Sequence, residues 1–102
     1  MRITDYQLSC IRTESLRFFG RSARVWLFGS RVDDHQKGGD IDLYIEPSIQ
    51  DAAAIVDAKL HFLSEVHRQL GDQKIDVVLR RTRCKKNLPV YQLARETGER
   101  LL

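Results

Sequence analysis

A chain of 102 residues has room for one small domain with a modest core, and not for two. Its apolar content of 42% is that of ordinary soluble proteins, and no run is long and uncharged enough to read as a membrane helix. Seventeen basic against 14 acidic residues leave a net charge of +3, too small an excess to indicate a nucleic-acid partner by itself, though it does not exclude one. The N-terminus lacks a basic-then-apolar leader pattern, so we expect a cytoplasmic protein. Cys10 and Cys84 have no metal-ligand spacing, and two cysteines make no disulfide framework; we read both as reduced thiols.

Taken in order, Thr4 with Gln7 is a capping-box signature. Leu8, Ile11, Phe18 and Phe19 then trace a helical stripe, which Gly20-Arg21-Ser22 ends. Val25 to Phe28 is a short apolar run and reads as a buried strand, broken by Gly29-Ser30. A polar loop over residues 31–39 closes on Gly38-Gly39. Ile41 to Glu46 alternates strictly, as a strand does, and stops at Pro47. Ser48 or Asp51 caps the next helix, whose apolar stripe is Val56, Leu60, Leu63, Val66 and Leu70, with Gly71 at its C-terminal end. Lys74 to Leu79 is the third strand. A basic linker runs from Arg80 to Asn87. Pro89 begins a last helix carrying Val90, Leu93, Ala94, Thr97 and Leu101 on one face.

This order predicts one α/β (α+β) domain over residues 1–102, a small three-stranded mixed sheet with helices packed on one face. The other face stays open. Side chains alternate across a strand, so Ile41, Leu43 and Ile45 point into the core while Asp40, Asp42, Tyr44 and Glu46 point away from it. On the third strand Asp76, Val78 and Arg80 are the corresponding set. If the two strands are neighbours, Asp40, Asp42 and Asp76 converge.

Adjacent carboxylates repel, and a divalent cation removes that penalty. Mg²⁺ prefers oxygen ligands, and such a set can hold two ions roughly 3.5–4 Å apart across a phosphoryl displacement. Glycine at position 29 lets the backbone approach phosphate oxygens, free N–H groups beyond it attract the anion, and the Ser30 hydroxyl adds a hydrogen bond.

Gly29-Ser30-Arg31, Asp40-Ile41-Asp42 and Ile75-Asp76-Val77 together resemble the DNA polymerase β-like nucleotidyltransferase superfamily, and the short chain resembles its minimal nucleotidyltransferases (MNT proteins). The resemblance runs from Val25 to Leu79. It implies the family's core fold and transfer of a nucleoside monophosphate, AMP from ATP or another NTP, to a hydroxyl with release of pyrophosphate. It further implies that Gly29, Ser30 and Arg31 bind the nucleotide, and that Asp40, Asp42 and Asp76 are the catalytic, Mg²⁺-binding triad. Many relatives have serine before the first aspartate, where this chain has Gly39, and a more basic loop where it has Asp33 and Asp34.

The stretch after Leu79 is short enough for only a linker and one helix, so the acceptor is expected on another chain. Minimal members resemble antitoxins paired with a helical HEPN protein, which implies a HEPN-domain partner carrying the modified hydroxyl. Two other readings stand beside this one. One is a non-catalytic antitoxin that occludes its HEPN partner; the other is a transferase acting on RNA ends or a small molecule. A second copy of the chain remains open as a partner.

Arg80, Arg81, Arg83, Lys85 and Lys86 read first as a solvated linker, with contact to triphosphate, RNA or an acidic partner as the functional alternatives. Tyr44 either stacks on a base or is a half-exposed strand aromatic. His35, His61 and His67 show no metal-binding pattern and are read as non-catalytic.

Overall fold

The computed structural model describes residues 3–29, 41–71, 73–81 and 89–102. Helix α1 spans Asp5–Phe19, and its capping box is closed: the Gln7 N–H donates to the Thr4 hydroxyl at 3.0 Å and the Thr4 N–H to Gln7 Oε1 at 2.9 Å. Strand β1 (Arg24–Phe28) follows, then β2 (Ile41–Glu46). Helix α2 (Ala52–Leu70) starts at Asp51, whose carboxylate accepts the Ala54 N–H at 2.9 Å, so Asp51 rather than Ser48 is the cap. Strand β3 is Ile75–Leu79, helix α3 Pro89–Thr97 and strand β4 Glu99–Arg100.

The sheet order is β3-β2-β1-β4. β1 is antiparallel to β2 and β4, whereas β2 and β3 run parallel, joined across one face by α2. Ile41, Leu43 and Ile45 are fully buried on that face with Val25 and Leu27, under Ile11 and Phe19 of α1 and Phe62 and Val66 of α2. The Phe19 and Phe62 rings meet at 5.2 Å between centroids. Among the described residues no helix is long and apolar enough to cross a membrane.

Four expectations change. The sheet has four strands, not three. Gly98 ends α3 where no Cβ fits, because one would overlap the Ala94 carbonyl and lie 2.7 Å from the Leu27 carbonyl oxygen. The chain then turns back along β1, pairing Arg100 with Trp26 and Glu99 with Leu27. The Leu101 N–H donates to the Val25 carbonyl at 2.7 Å, and the Val25 N–H to the Leu102 carbonyl at 3.1 Å. Leu101 thus belongs to the sheet's core and not to the last helix, and Arg12 Nε holds its carbonyl at 2.6 Å.

Helices also lie on both faces. Tyr91 of α3 packs on Tyr44, 5.8 Å between ring centroids, and Tyr44 points away from the core of Ile41, Leu43 and Ile45. Tyr44 is accordingly fully buried, not on an open face. Lastly, the expected α2 stripe holds only toward its C-terminal end, where Val66 is buried and Leu63 and Leu70 pack against the core. The buried residues of α2 are Ile55, Ala58, Phe62 and Val66, while Val56 and Leu60 are 59% and 62% exposed. The helix is apolar over a wide arc, so its periodicity admits both orientations. The large Phe62 ring, meeting Phe19, takes the sheet side.

Candidate functional site

The antiparallel pairing of β1 with β2 and the parallel pairing of β2 with β3 bring the end of β1 beside the starts of β2 and β3. Phe28 stands opposite Asp42, and Asp42 opposite Asp76. Register partners share a face of a pleated sheet, with strands about 4.8 Å apart. Asp42 and Asp76 are therefore neighbours on the face away from the main core. Asp42 is half-buried and Asp76, on the edge strand, is exposed.

Gly29 closes this corner. Its φ of 78° is left-handed, a conformation that suits glycine. A Cβ at this position would overlap the Asp42 carboxylate and lie 3.3 Å from its Cγ. The backbone leaving β1 thus runs directly against the carboxylate. Any side chain at position 29 would displace one or the other.

Of the six site residues read from the sequence, Gly29, Asp42 and Asp76 are brought together. Ser30, Arg31 and Asp40 lie outside the described residues, as do Asp33, Asp34 and most of the basic linker. Among the described residues no group of three His, Cys, Asp or Glu side chains is arranged to hold a metal ion; the described carboxylates form a pair. The pair's chemistry nevertheless fits Mg²⁺. Both donors are hard oxygens, they sit on adjacent rigid strands, and one faces water, where a hydrated ion can retain part of its shell.

Tyr44, the next residue on this face, does different work. Its hydroxyl donates to Glu46 Oε2 at 2.6 Å, and Arg24 meets Glu46 Oε1 at 3.2 Å. Burial first, and the bond to the Glu46 carboxylate second, push the Tyr44 hydroxyl up to about 12, with Arg80 pulling the other way. Tyr44 stays a neutral donor and is walled in by Trp26, 5.3 Å away, and Tyr91. Arg24 and Arg95 join Arg80 around Glu46. Neither was visible as a site residue in the sequence, because each arrives from a different element and no spacing links them.

No protein-family model matches the chain, and no curated protein matches it by sequence.

Proposed function

We propose that the chain is a cytoplasmic, Mg²⁺-dependent nucleotidyltransferase of the minimal, polymerase β-like kind. It transfers AMP from ATP to a hydroxyl of a HEPN partner and acts as the antitoxin of the pair. The observation that carries this reading is the parallel register that sets Asp42 opposite Asp76, with Gly29 against the Asp42 carboxylate. Two acids at one end of a sheet, beside a glycine turn, suit a polyphosphate substrate that arrives with Mg²⁺.

In this reading the backbone at Gly29 and the Ser30 and Arg31 side chains hold the triphosphate. Asp42 and Asp76, with Asp40, would hold Mg²⁺, which when bound would neutralise charge at the leaving pyrophosphate and acidify the attacking hydroxyl. The acceptor oxygen bonds to the α-phosphorus as the bond to the β-phosphate oxygen breaks. Asp76 is the exposed acid, and the carboxylate oxygen not given to the cation would take the proton of the incoming hydroxyl.

The test is transfer of label from ATP carrying a labelled α-phosphate to the HEPN partner in the intact complex, with RNA ends and small hydroxylated molecules as competing acceptors. Asp42→Asn should cut the label by more than the roughly 10–100-fold lost when a supporting partner of a metal ligand is removed. The complex should persist. Neutralisation retained by Asp42→Asn would instead make the protein a non-catalytic binder.

A further inference from the structure

The face of the sheet that carries Asp42 and Asp76 changes character along its length. Four residues further along from Asp76 stands Arg80, roughly 13 Å away at the rise of a strand. Its N–H donates to the Ile45 carbonyl at 3.1 Å, which sets it beside the end of β2. There Arg80, Arg24 and Arg95 line a cavity of about 250 Å³ together with Trp26 and Glu46. On its other flank Arg80 lines a second cavity of about 260 Å³ with Arg81, Tyr91 and the apolar Leu79, Ile55 and Ala52.

Among the described residues Glu46 is the one carboxylate lining either cavity, and its charge is already engaged. Arg24 meets one oxygen at 3.2 Å and the Tyr44 hydroxyl the other at 2.6 Å. The arginines thus outnumber the carboxylate around both cavities. The second observation is Arg80 itself. Its Nε is buried and has no hydrogen-bond partner, while its guanidinium lies 5.3 Å from the Tyr91 ring centroid. A buried donor without an acceptor is costly, and native folds leave few of them. Arg80 lines both cavities, so an anion entering either would meet its guanidinium and could draw this donor out to it.

We propose that this arginine-lined cleft binds a phosphate group, at a site separate from the carboxylate pair. A guanidinium presents planar paired donors that match phosphate oxygens. Trp26 and Tyr91, one in each cavity, offer aromatic walls for a base attached to that phosphate. A free nucleotide and the backbone of single-stranded RNA both present this chemistry.

The experiment titrates the isotope-labelled full chain, without Mg²⁺, with inorganic phosphate, AMP and a short single-stranded RNA, reading the Trp26 indole and Arg80 Nε–H resonances. Both should shift saturably with phosphate and AMP, in the wild type and in Asp42→Asn alike. Arg80→Gln should weaken binding about 10-fold or more, the loss of one charge-assisted hydrogen bond. Arg95→Gln, on the exposed part of α3, is the second variant; it should weaken binding with the rest of the spectrum unchanged. RNA binding tighter than AMP with a steep salt dependence assigns the site to an RNA backbone. Equal affinities assign it to a free nucleotide. Absence of a saturable shift at Trp26, shifts confined to Gly29 and Asp42, or wild-type affinity in both arginine variants would overturn the proposal.

Discussion

Tyr44 keeps its proton because the alternative is a buried phenolate beside the Glu46 carboxylate. An unfolded tyrosine titrates near 10, and in the fold the value is about 12. Between those values the unfolded chain binds fewer protons than the native one, so stability falls as pH rises. The contribution is complete below pH 10 and lost as pH passes 12. Urea melts of the wild type should therefore weaken over this window more steeply than those of Tyr44→Phe, which lacks the titrating group. Parallel slopes would contradict the account. Tyr44→Phe should itself cost about 1–3 kcal/mol at neutral pH, because Glu46 loses a donor. Alternation put Tyr44 on the correct face of its strand. Its burial was not legible, because Tyr91 and Trp26 reach it from elsewhere in the chain.

At the scale of elements, α2 and β4 are where periodicity and structure part. A helix that is apolar over most of its circumference has no single stripe to read. Val56 and Leu60 fit the helical period as well as Ile55 and Phe62 do, and only contact with Phe19 and the sheet separates them. Phe62→Ala should cost about 3–5 kcal/mol, while Val56→Gln and Leu60→Gln should stay within about 0.5 kcal/mol, measured by denaturant unfolding. Equal losses at Phe62 and at the two exposed sites would mean the helix is turned otherwise. Strand β4 is two charged residues after a glycine, too short to carry any alternation. Leu101→Ala tests it: loss of this buried side chain should cost about 2–5 kcal/mol, a penalty that a frayed terminal leucine would not show.

Across the whole molecule, one sheet face runs from acids to aromatics to arginines. Asp42 and Asp76 hold one end, Tyr44 and Trp26 the middle, Arg24 and Arg80 the other. A ligand that binds only the native state raises its stability by mass action. Under the proposed function, Mg²⁺ should raise the melting temperature of the wild type in a concentration-dependent way. Asp42→Asn and Gly29→Ala should lose that rise, the second because its Cβ occupies the space of the Asp42 carboxylate. A rise unchanged in both variants would place any cation elsewhere. Gly29→Ala also forces alanine to a φ of 78°, so its melting temperature without Mg²⁺ should already be lower.

What the sequence determined alone was local. Cap residues, strand alternation and glycine stops depend on neighbours within a few positions, so α1, β1, β2 and β3 and the facing of Asp42 and Asp76 could be read directly. The tertiary structure decided what depends on partners distant in the chain. It set β3 parallel against β2 in the register that aligns the two aspartates, put Ile55 and Phe62 rather than Val56 and Leu60 of α2 against the sheet, folded Leu101 back onto β1, and gathered arginines from separate elements around Glu46. Register and burial are properties of pairs of surfaces, and no single segment carries them.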